Sequence, residues 1–390
     1  MIPYGRQSIS EEDISAVIEV LRSDYLTQGP VVPLFETAVK NYCGAKYAVA
    51  TNSATSALHI SCLALGVKSG DIVWTSPISF VASANCALYC GATIDFVDID
   101  PLTYNMSIEV LGEKLERASK DGALPKVVIP VHLAGQSCEM EKIHQLSIKY
   151  GFKIIEDASH AIGGSYQDEA IGSCKFSDIT VFSFHPVKII TTAEGGMALT
   201  NCPELAGTLA RLRSHGITRA PSEMTCAPDG PWFYQQVELG FNYRMTDIQA
   251  ALGVSQLRRI NEFVSDRSNL AKKYNELLKS SNITLPTTIQ DASSSHHLYI
   301  IRVKSKQVGY SHNESFERLR NAGIIVNLHY IPIYRHPYYS TMGFNINEFP
   351  QAEKYYSEAI SLPIYPGLTL HDQALVLRVL QFPFGHQNIF

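Results

Sequence analysis

The sequence predicts an α/β protein with a mostly parallel central sheet, helices on both faces and a smaller α+β domain at the C-terminal end. From about residue 45, short apolar runs alternate with helix-like segments. Strands of a parallel sheet are apolar along their whole length because helices cover both faces of the sheet. Six runs have this character: KYAVAT, DIVWTS, ATIDFVDI, KVVIPV, FKIIED and DITVFSF.

The pattern divides the chain of 390 residues into an N-terminal arm with one helix (1–30), a large domain (31–245), and a linking helix with the small domain (246–390). Ser10 is placed to cap the first helix, and Asp13 completes a capping box. Helical spacing predicts one buried face for this helix, formed by Ile14, Val17, Ile18 and Leu21. The small domain is predicted from the strand HLYIIRV, the helix SFERLRNAG, the strand IIVNLHYI and a final helix.

Composition excludes several classes of partner. The net charge is −5 and no block of like charges occurs, so we expect no nucleic acid partner. The N-terminus lacks a signal-peptide core, and no apolar run approaches the ~20 residues that span a bilayer. The eight cysteines form no CxxC and no zinc spacing with histidine, so we expect reduced thiols packed as small hydrophobes and no metal site. We therefore expect a soluble cytoplasmic protein.

Two features suited to ligand binding or catalysis lie where predicted strands end. In TNSATSALH, small hydroxyl residues open a helix, and a helix start suits a phosphate; ordinary capping explains the same residues. In KIIEDASHA, Asp157 closes a strand, where ligands of open α/β sheets gather. Asp157 can hold a positive charge of a ligand there, or simply cap the next helix.

Two further features follow along the chain. Ser183 and His185 flank the end of DITVFSF, and Lys188 comes soon after among apolar neighbours. A desolvated lysine can lose its proton near neutral pH and attack carbonyls, although its amine can also reach solvent while the stem packs. In ELGFNYRM, Asn242 and Arg244 can contact phosphate, or belong to a polar linker.

Together, the phosphate-type helix start, the acid and the lysine predict a site for pyridoxal 5′-phosphate (PLP). The lysine holds the aldehyde of the cofactor as an imine. The acid keeps the pyridine nitrogen protonated, so that the ring acts as an electron sink.

The chain also resembles the DegT/StrS family of fold-type-I PLP aminotransferases, which act on nucleotide-linked keto sugars. The motifs that carry the resemblance are NSATSALH, TSPISFVASAN, EDASHA, FSFHPVKIITTAEGG, RSHGI and FNYRMTDIQAALG. LTQG, HYIPIY and AISLP make the likeness greatest to transaminases acting at C4 of a UDP-linked keto sugar, with L-glutamate as amino donor. The alternatives are a C3 enzyme, a dTDP- or GDP-linked substrate, and a non-catalytic PLP-binding regulator. A nicotinamide dehydrogenase is disfavoured because GxGxxG is absent from the sequence.

The resemblance implies a role for each matching residue. Lys188 carries the imine, Asp157 pairs with the pyridine nitrogen, and Phe80 stacks on the ring with His160 beside it. The phosphate is held by Ala54, Thr55, Ser183 and, from the neighbouring subunit, Asn242. The residues implied in substrate binding are Tyr4, Asp24, Tyr25, Leu26, Thr27, Ala54, Ser183, Asn242, Asn327, Leu328, His329 and Tyr330. A homodimer with shared active sites follows, while His185, Thr191 and Thr192 receive no role.

Overall fold

A computed structural model describes residues 1–304 and 310–381, and its centre is a seven-stranded sheet. The strands of the described residues, of which seven form this sheet, are β1 (Ile2–Pro3), β2 (Tyr47–Thr51), β3 (Ile72–Thr75), β4 (Thr93–Phe96), β5 (Val127–Ile129), β6 (Lys153–Asp157), β7 (Ser165–Tyr166), β8 (Glu169–Ala170), β9 (Ile179–Ser183), β10 (Gly196–Thr200), β11 (Ile217–Thr218), β12 (Gln235–Gln236), β13 (Ile283–Thr284), β14 (Ala292–Ser293), β15 (Tyr299–Val303), β16 (Ile324–Ile325) and β17 (Ala359–Leu362).

Helices lie between most of the strands and after the sheet. The α-helices of the described residues are α1 (Glu11–Leu21), α2 (Val31–Cys43), α3 (Ala54–Ala64), α4 (Ala82–Tyr89), α5 (Ile108–Asp121), α6 (Met140–Tyr150), α7 (Pro203–Arg213), α8 (Asp247–Leu257), α9 (Ile260–Leu278), α10 (His312–Asn321), α11 (Pro337–Ser340), α12 (Pro350–Tyr356) and α13 (Leu370–Gln381). None of the described helices is long and apolar enough to cross a membrane.

The central sheet has the strand order β2-β10-β9-β6-β5-β3-β4. Neighbouring strands from β9 to β4 run parallel, while β10 runs antiparallel to β2 and β9. The predicted mostly parallel sheet is therefore confirmed, and each of the six predicted runs contains one of its strands. Strand β10 was not predicted. Its sequence, GMALT, begins at the second of two glycines and is only five residues long, so composition alone did not distinguish it from a loop.

The buried face predicted for the first helix is wrong. The capping box of Ser10 and Asp13 is present, but Ile14, Ile18 and Leu21 are 43%, 38% and 54% exposed. The buried residues of α1 are Asp13 and Val20. Asp13 turns inward because its carboxylate accepts hydrogen bonds from Gln256 Nε2 and Arg259 Nη2, each at 2.6 Å. These polar contacts fix the side of α1 that faces α8.

The C-terminal part has its own apolar core around β15, β17, α9 and α13. The predicted strand HLYIIRV contains β15 and the predicted helix SFERLRNAG overlaps α10. The second predicted strand, IIVNLHYI, is wrong beyond its first two residues: β16 spans only Ile324–Ile325 and pairs with β1. Residues 326–331 instead form the irregular segment that reaches the cavity described below. The division at residues 30 and 245 stays a prediction.

Candidate active site

A cavity of about 890 Å³ opens at the C-terminal ends of β6 and β9 and at the first turn of α3. Most of the predicted site residues line it, although they are far apart in the chain: Tyr4, Ala54, Thr55, Phe80, Asp157, His160, Ser183, Lys188, Asn327, Leu328, His329 and Tyr330. The edge of the sheet brings them together because parallel strands end on the same side.

Lys188 reaches the cavity from the irregular turn after β9. Its backbone N–H donates to the carbonyl oxygen of His185 at 2.9 Å, which closes this turn. Burial lowers the pKa of the Lys188 amine to about 8, against an opposing effect of the Asp157 carboxylate. A substantial fraction of the amine is therefore neutral at slightly alkaline pH, as the apolar surroundings in the sequence suggested.

Asp157 ends β6 and is 4% exposed. Its Oδ2 accepts from Ser83 Oγ at 2.6 Å, and its Oδ1 accepts from Ser159 Oγ at 2.6 Å and from the Ser159 N–H at 3.2 Å. These three donors satisfy the oxygens of a buried carboxylate and fix its orientation. Ser83 and Ser159 lie in the motifs TSPISFVASAN and EDASHA, but their role was missed because nothing in the sequence says which hydroxyl faces the acid.

The first turn of α3 has the properties of an anion site. Ser53 caps the helix by accepting from the Ser56 N–H at 3.1 Å. Among the described residues, the backbone N–H groups of Ala54 and Thr55 have no partner, as expected for a helix start. Both residues line the cavity, as does Ser183 from β9. Three potential donors therefore surround one position at the positive end of a helix.

Gly196 allows this helix start to approach the sheet. A Cβ at residue 196 would lie 2.4 Å from the backbone nitrogen of Ala54 and 2.4 Å from the carbonyl carbon of Ser53. Any larger residue would displace the first turn of α3. This explains the second glycine of TTAEGG.

Thr191 and Thr192 hold the loop between β9 and β10. Thr191 Oγ1 donates to the carbonyl oxygen of Phe184 at 3.0 Å, and Thr192 Oγ1 donates to that of Glu194 at 2.8 Å. Both hydroxyls donate their hydrogen to backbone carbonyl groups, so they position the loop that carries Lys188. His185 lines the cavity, and burial lowers its pKa.

His160 and Tyr330 form a directed pair. His160 Nδ1 accepts from the Ala134 N–H at 3.3 Å, and Nε2 lies 3.0 Å from Tyr330 Oη. Burial first, and then the charge of Lys188, keep the pKa of His160 well below its usual value, so the ring is neutral. With Nδ1 accepting, the proton sits on Nε2 and is donated to Tyr330. The Tyr330 hydroxyl hydrogen, which has no acceptor among the described residues, is then available to a ligand.

His329 supports the opposite wall of the cavity. Its Nδ1 lies 2.8 Å from Ser361 Oγ, and its ring centroid lies 5.0 Å from that of Tyr4. Burial lowers the pKa of His329 to about 3, and the pKa of His297, another lining residue missed from the sequence, is also well below its usual value. Lys188 is therefore surrounded by neutral imidazoles. Asn327 is held through its backbone by Ser361.

The structure does not bring every predicted residue to the cavity. Asn242 and the segment 24–27 are exposed, and none of them lines the cavity of this chain. Thr27 instead pairs with Thr246 as an isolated bridge, and Asn242 pairs with Ser214.

The residues present fit a PLP group. An unpartnered pair of helix N–H groups suits its phosphate, and a buried carboxylate with three donors suits a protonated pyridine nitrogen. An amine of lowered pKa suits its aldehyde. Phe80, 59% exposed, supplies an aromatic face at the mouth of the cavity.

Comparison with known proteins gives the family. The model of the DegT/DnrJ/EryC1/StrS aminotransferase family matches residues 7–381. The UDP-4-amino-4,6-dideoxy-N-acetyl-β-L-altrosamine transaminase of Campylobacter jejuni is 37% identical over 381 residues, which cover 97% of this chain and 96% of that protein.

Solved structures agree with this match. Helicobacter pylori PseC, an aminotransferase involved in the biosynthesis of pseudoaminic acid, has a TM-score of 0.88 at 33% identity, covering 97% of this chain and 98% of that chain. Streptococcus pneumoniae Spr1654 in its PLP form has a TM-score of 0.86 at 30% identity, covering 97% of both chains. The chain belongs to the DegT/DnrJ/EryC1/StrS aminotransferase family and is a PLP-dependent sugar aminotransferase.

Proposed function

We propose that the enzyme moves an amino group from L-glutamate to C4 of a UDP-linked 4-keto-6-deoxy-N-acetylhexosamine. The product is UDP-4-amino-4,6-dideoxy-N-acetyl-β-L-altrosamine, which serves pseudaminic acid biosynthesis. The observation that carries transamination is the Lys188 amine, with its pKa lowered to about 8, in one cavity with the buried Asp157 carboxylate. The names of the Campylobacter jejuni and Helicobacter pylori relatives support the choice of sugar.

Each part of the cofactor has matching residues. Lys188 would bind the aldehyde, Asp157 would face the pyridine nitrogen, and Phe80 would cover the ring. The N–H groups of Ala54 and Thr55 would hold the phosphate, with the Ser183 hydroxyl beside them. When bound, PLP supplies an electron sink for the carbon that loses its proton.

Lys188 would carry out the proton transfers. Its neutral amine would accept the α-proton of glutamate at Nζ and return a proton on the way to the product. Ser83 and Ser159 donate to the Asp157 carboxylate and orient it, so that it would face the pyridine nitrogen of the cofactor. Tyr330 would donate its free hydroxyl hydrogen to an oxygen of the bound ligand.

A second subunit would complete the site. Asn242 and residues 24–27 are exposed and do not line the cavity of their own chain, which is expected of residues that serve a partner's cavity. The exposed apolar side chains of α1, Ile14, Ile18 and Leu21, would be covered by the same assembly. We therefore propose a homodimer with two shared sites.

Subunit complementation tests this arrangement. Lys188→Ala and Asn242→Asp should each be inactive alone, the second because its charge repels phosphate. After mixing, unfolding and refolding together, half of the dimers are mixed and each has one intact site, so about one quarter of the activity should return. Recovery of no activity from two variants that each form dimers would contradict the shared site.

The substrate is tested by single-turnover assays with PLP-loaded enzyme. L-Glutamate should convert the cofactor, and the UDP-linked 4-keto-6-deoxy sugar should convert it back with release of the 4-amino sugar. Lys188→Ala should lose both conversions, while Lys120→Ala, a change at an exposed lysine, should keep both. A better conversion with dTDP- or GDP-linked sugars, or amination at C3, would refute the proposed substrate. Failure of every sugar despite reaction with glutamate would favour a regulator.

A further inference from the structure

His297 has a ring nitrogen that no protein group uses. The residue is 4% exposed, precedes Leu298 and β15, and lines the cavity. Its Nδ1 is enclosed by protein and has no hydrogen-bond partner among the described residues. Nε2 also lacks a partner in that part of the chain, but it is not enclosed. Nε2 is therefore the nitrogen of His297 that can meet a ligand in the cavity.

The surroundings of His297 decide where its proton sits. Burial is the first reason why the pKa of His297 lies well below its usual value, so the ring is neutral and carries one N–H. The basic groups around the ring add to this effect: His160, Lys188, Arg267 and His329. A proton on Nδ1 would be a buried donor without an acceptor, and such donors are rarer in proteins than unused acceptors. The proton is therefore on Nε2, which makes the ring a donor toward the cavity.

Contacts on several sides fix the position of His297. Ser295 Oγ donates to the carbonyl oxygen of His160 at 2.9 Å, and the ring centroids of His160 and His297 are 4.3 Å apart. Gly135 allows this close packing, since a Cβ at residue 135 would lie 2.4 Å from Ser295 Oγ. Arg267, which is 1% exposed, donates through Nη1 to the carbonyl oxygen of His297 at 3.2 Å. The Nε2–H of His297 is therefore held in one place before a ligand binds.

The order of the strands places His297 and the anion site on opposite sides of Asp157. Strand β6, which Asp157 ends, lies between β9 and β5 in the sheet. Ser183 ends β9 and lines the cavity together with the first turn of α3. The turn after β5 lies on the other side, and its Ala134 carbonyl oxygen accepts from the Leu298 N–H at 3.3 Å. His297 is thus bound to the β5 side of the cavity.

The substituents of PLP predict which of its atoms would meet His297. This step rests on the proposed placement of the cofactor, with its pyridine nitrogen at Asp157 and its aldehyde at Lys188. On the pyridine ring, the carbon that bears the aldehyde stands between the carbon with the phosphate arm and the carbon with the 3-hydroxyl. With the phosphate at the first turn of α3, the 3-oxygen would point toward the β5 side.

Two histidines lie on that side of the cavity. The ring nitrogens of His160 are bonded to Ala134 and Tyr330, whereas the Nε2–H of His297 is unused. We propose that His297 binds the cofactor by donating its Nε2–H to the 3-oxygen of PLP. A hydrogen bond to an ionised oxygen contributes more to binding than one between neutral groups. His297 would therefore strengthen cofactor binding and reduce the negative charge on the 3-oxygen.

The first experiment compares pyridoxamine 5′-phosphate with its 3-deoxy analogue by equilibrium titration of the apo-protein. Neither compound forms a covalent bond with Lys188. The wild type should bind the analogue at least about tenfold more weakly, and this preference should fall about tenfold in His297→Phe. His297→Gln, whose amide can donate from a similar position, should recover part of the preference. His371→Phe, which changes an exposed histidine of α13, should keep the wild-type preference.

Two results of these titrations would overturn the proposal. One is a wild type that binds both compounds equally well, a result that does not depend on the folding of any variant. The other is an equal preference in the wild type and in His297→Phe. If the preference is equal and KM for glutamate rises in His297→Phe, the donor serves the substrate and not the cofactor.

The second measurement follows the absorbance of the PLP-loaded protein against pH. Its midpoint reports the protonation of the nitrogen that joins the cofactor to Lys188. A donor at the 3-oxygen weakens the attraction of that oxygen for the proton on this nitrogen, so the midpoint should rise by about one pH unit in His297→Phe. His371→Phe should keep the wild-type midpoint. A midpoint that does not move in His297→Phe would overturn the hydrogen bond.

Borohydride reduction and mass spectrometry separate the hydrogen bond from the placement on which it rests. PLP should be attached to Lys188 in the wild type and in His297→Phe. Attachment to another residue would overturn both the placement and the hydrogen bond. Attachment to Lys188 with an unchanged preference for the 3-hydroxyl would overturn the hydrogen bond alone.

Discussion

The rate at which the apo-protein captures PLP should reach a plateau near pH 9. The perturbation is pH, and the responding group is the Lys188 amine, which attacks the aldehyde only when it is neutral. Burial lowers the pKa of this amine to about 8. Most of the amine is therefore neutral at pH 9, more than one pH unit below the pKa of about 10.4 of an exposed lysine.

The magnitude follows from the pKa. With a pKa of about 8, about one amine in eleven is neutral at pH 7 and about ten in eleven are neutral at pH 9, so the capture rate should rise about tenfold. A lysine with the usual pKa of about 10.4 would gain about a hundredfold over the same range and would still be rising at pH 9. The two cases differ in the size of the rise in capture rate and in the shape of its pH dependence.

The assay mixes apo-protein with PLP in a stopped-flow spectrophotometer and follows the absorbance of the protein-bound cofactor from pH 6.5 to 10. Lys188→Ala should give no such band. Nα-acetyl-lysine, mixed with PLP under the same conditions, corrects for the titration of PLP itself and should show no plateau below pH 10. A corrected protein curve that keeps rising tenfold per pH unit beyond pH 9 would refute the lowered pKa.

Three substitutions test other contacts of the site. Ser83→Ala removes a donor from the Asp157 carboxylate and should weaken PLP binding by about tenfold, measured by titration of the apo-protein. Gly196→Ala places a Cβ 2.4 Å from the Ala54 nitrogen and should abolish PLP binding and lower the melting temperature by several degrees. Tyr330→Phe removes the hydroxyl that lacks a protein acceptor and should raise KM for the keto sugar by about tenfold, measured in steady-state assays.

Each substitution has a matched control. Ser280→Ala changes an exposed serine and should leave PLP affinity unchanged. Gly112→Ala lies in α5, where a Cβ meets nothing within 4 Å, and should stabilise the protein by about 1 kcal/mol. Tyr338→Phe alters a side chain that is 64% exposed and should not change KM. A test variant that behaves like its control would contradict the role given to the contact that it removes or, for Gly196→Ala, to the close approach that it disturbs.

Strand predictions succeeded where the cause is local in sequence. The six apolar runs contain strands of the central sheet. Helices cover both faces of a parallel sheet, so its strands are apolar along their whole length and can be recognised in the sequence. The apolar neighbours of Lys188 in the sequence indicated a desolvated amine, and burial lowers its pKa to about 8 in the structure. Predictions failed where a distant residue decided the outcome. The inward face of α1 is set by Asp13, whose partners Gln256 and Arg259 lie more than 240 residues away.

The same limit applies inside the cavity. The sequence contains Ser83 and Asp157 but not their contact across 74 residues, and it contains His160 and Tyr330 but not the direction of the hydrogen bond between them. Those depend on how the helices pack against the edge of the sheet and on which ring nitrogen accepts from the backbone.

By itself, therefore, the sequence determined the class of fold and the use of PLP as cofactor. Both could be read from periodicity and residue type within short stretches of the chain. Only the tertiary structure decided which hydroxyls hold Asp157, why residue 196 is glycine, and that Asn242 lies outside the cavity of its own chain. The physical reason is that hydrogen bonds, desolvation and close backbone approach depend on distances in space, which sequence separation does not encode.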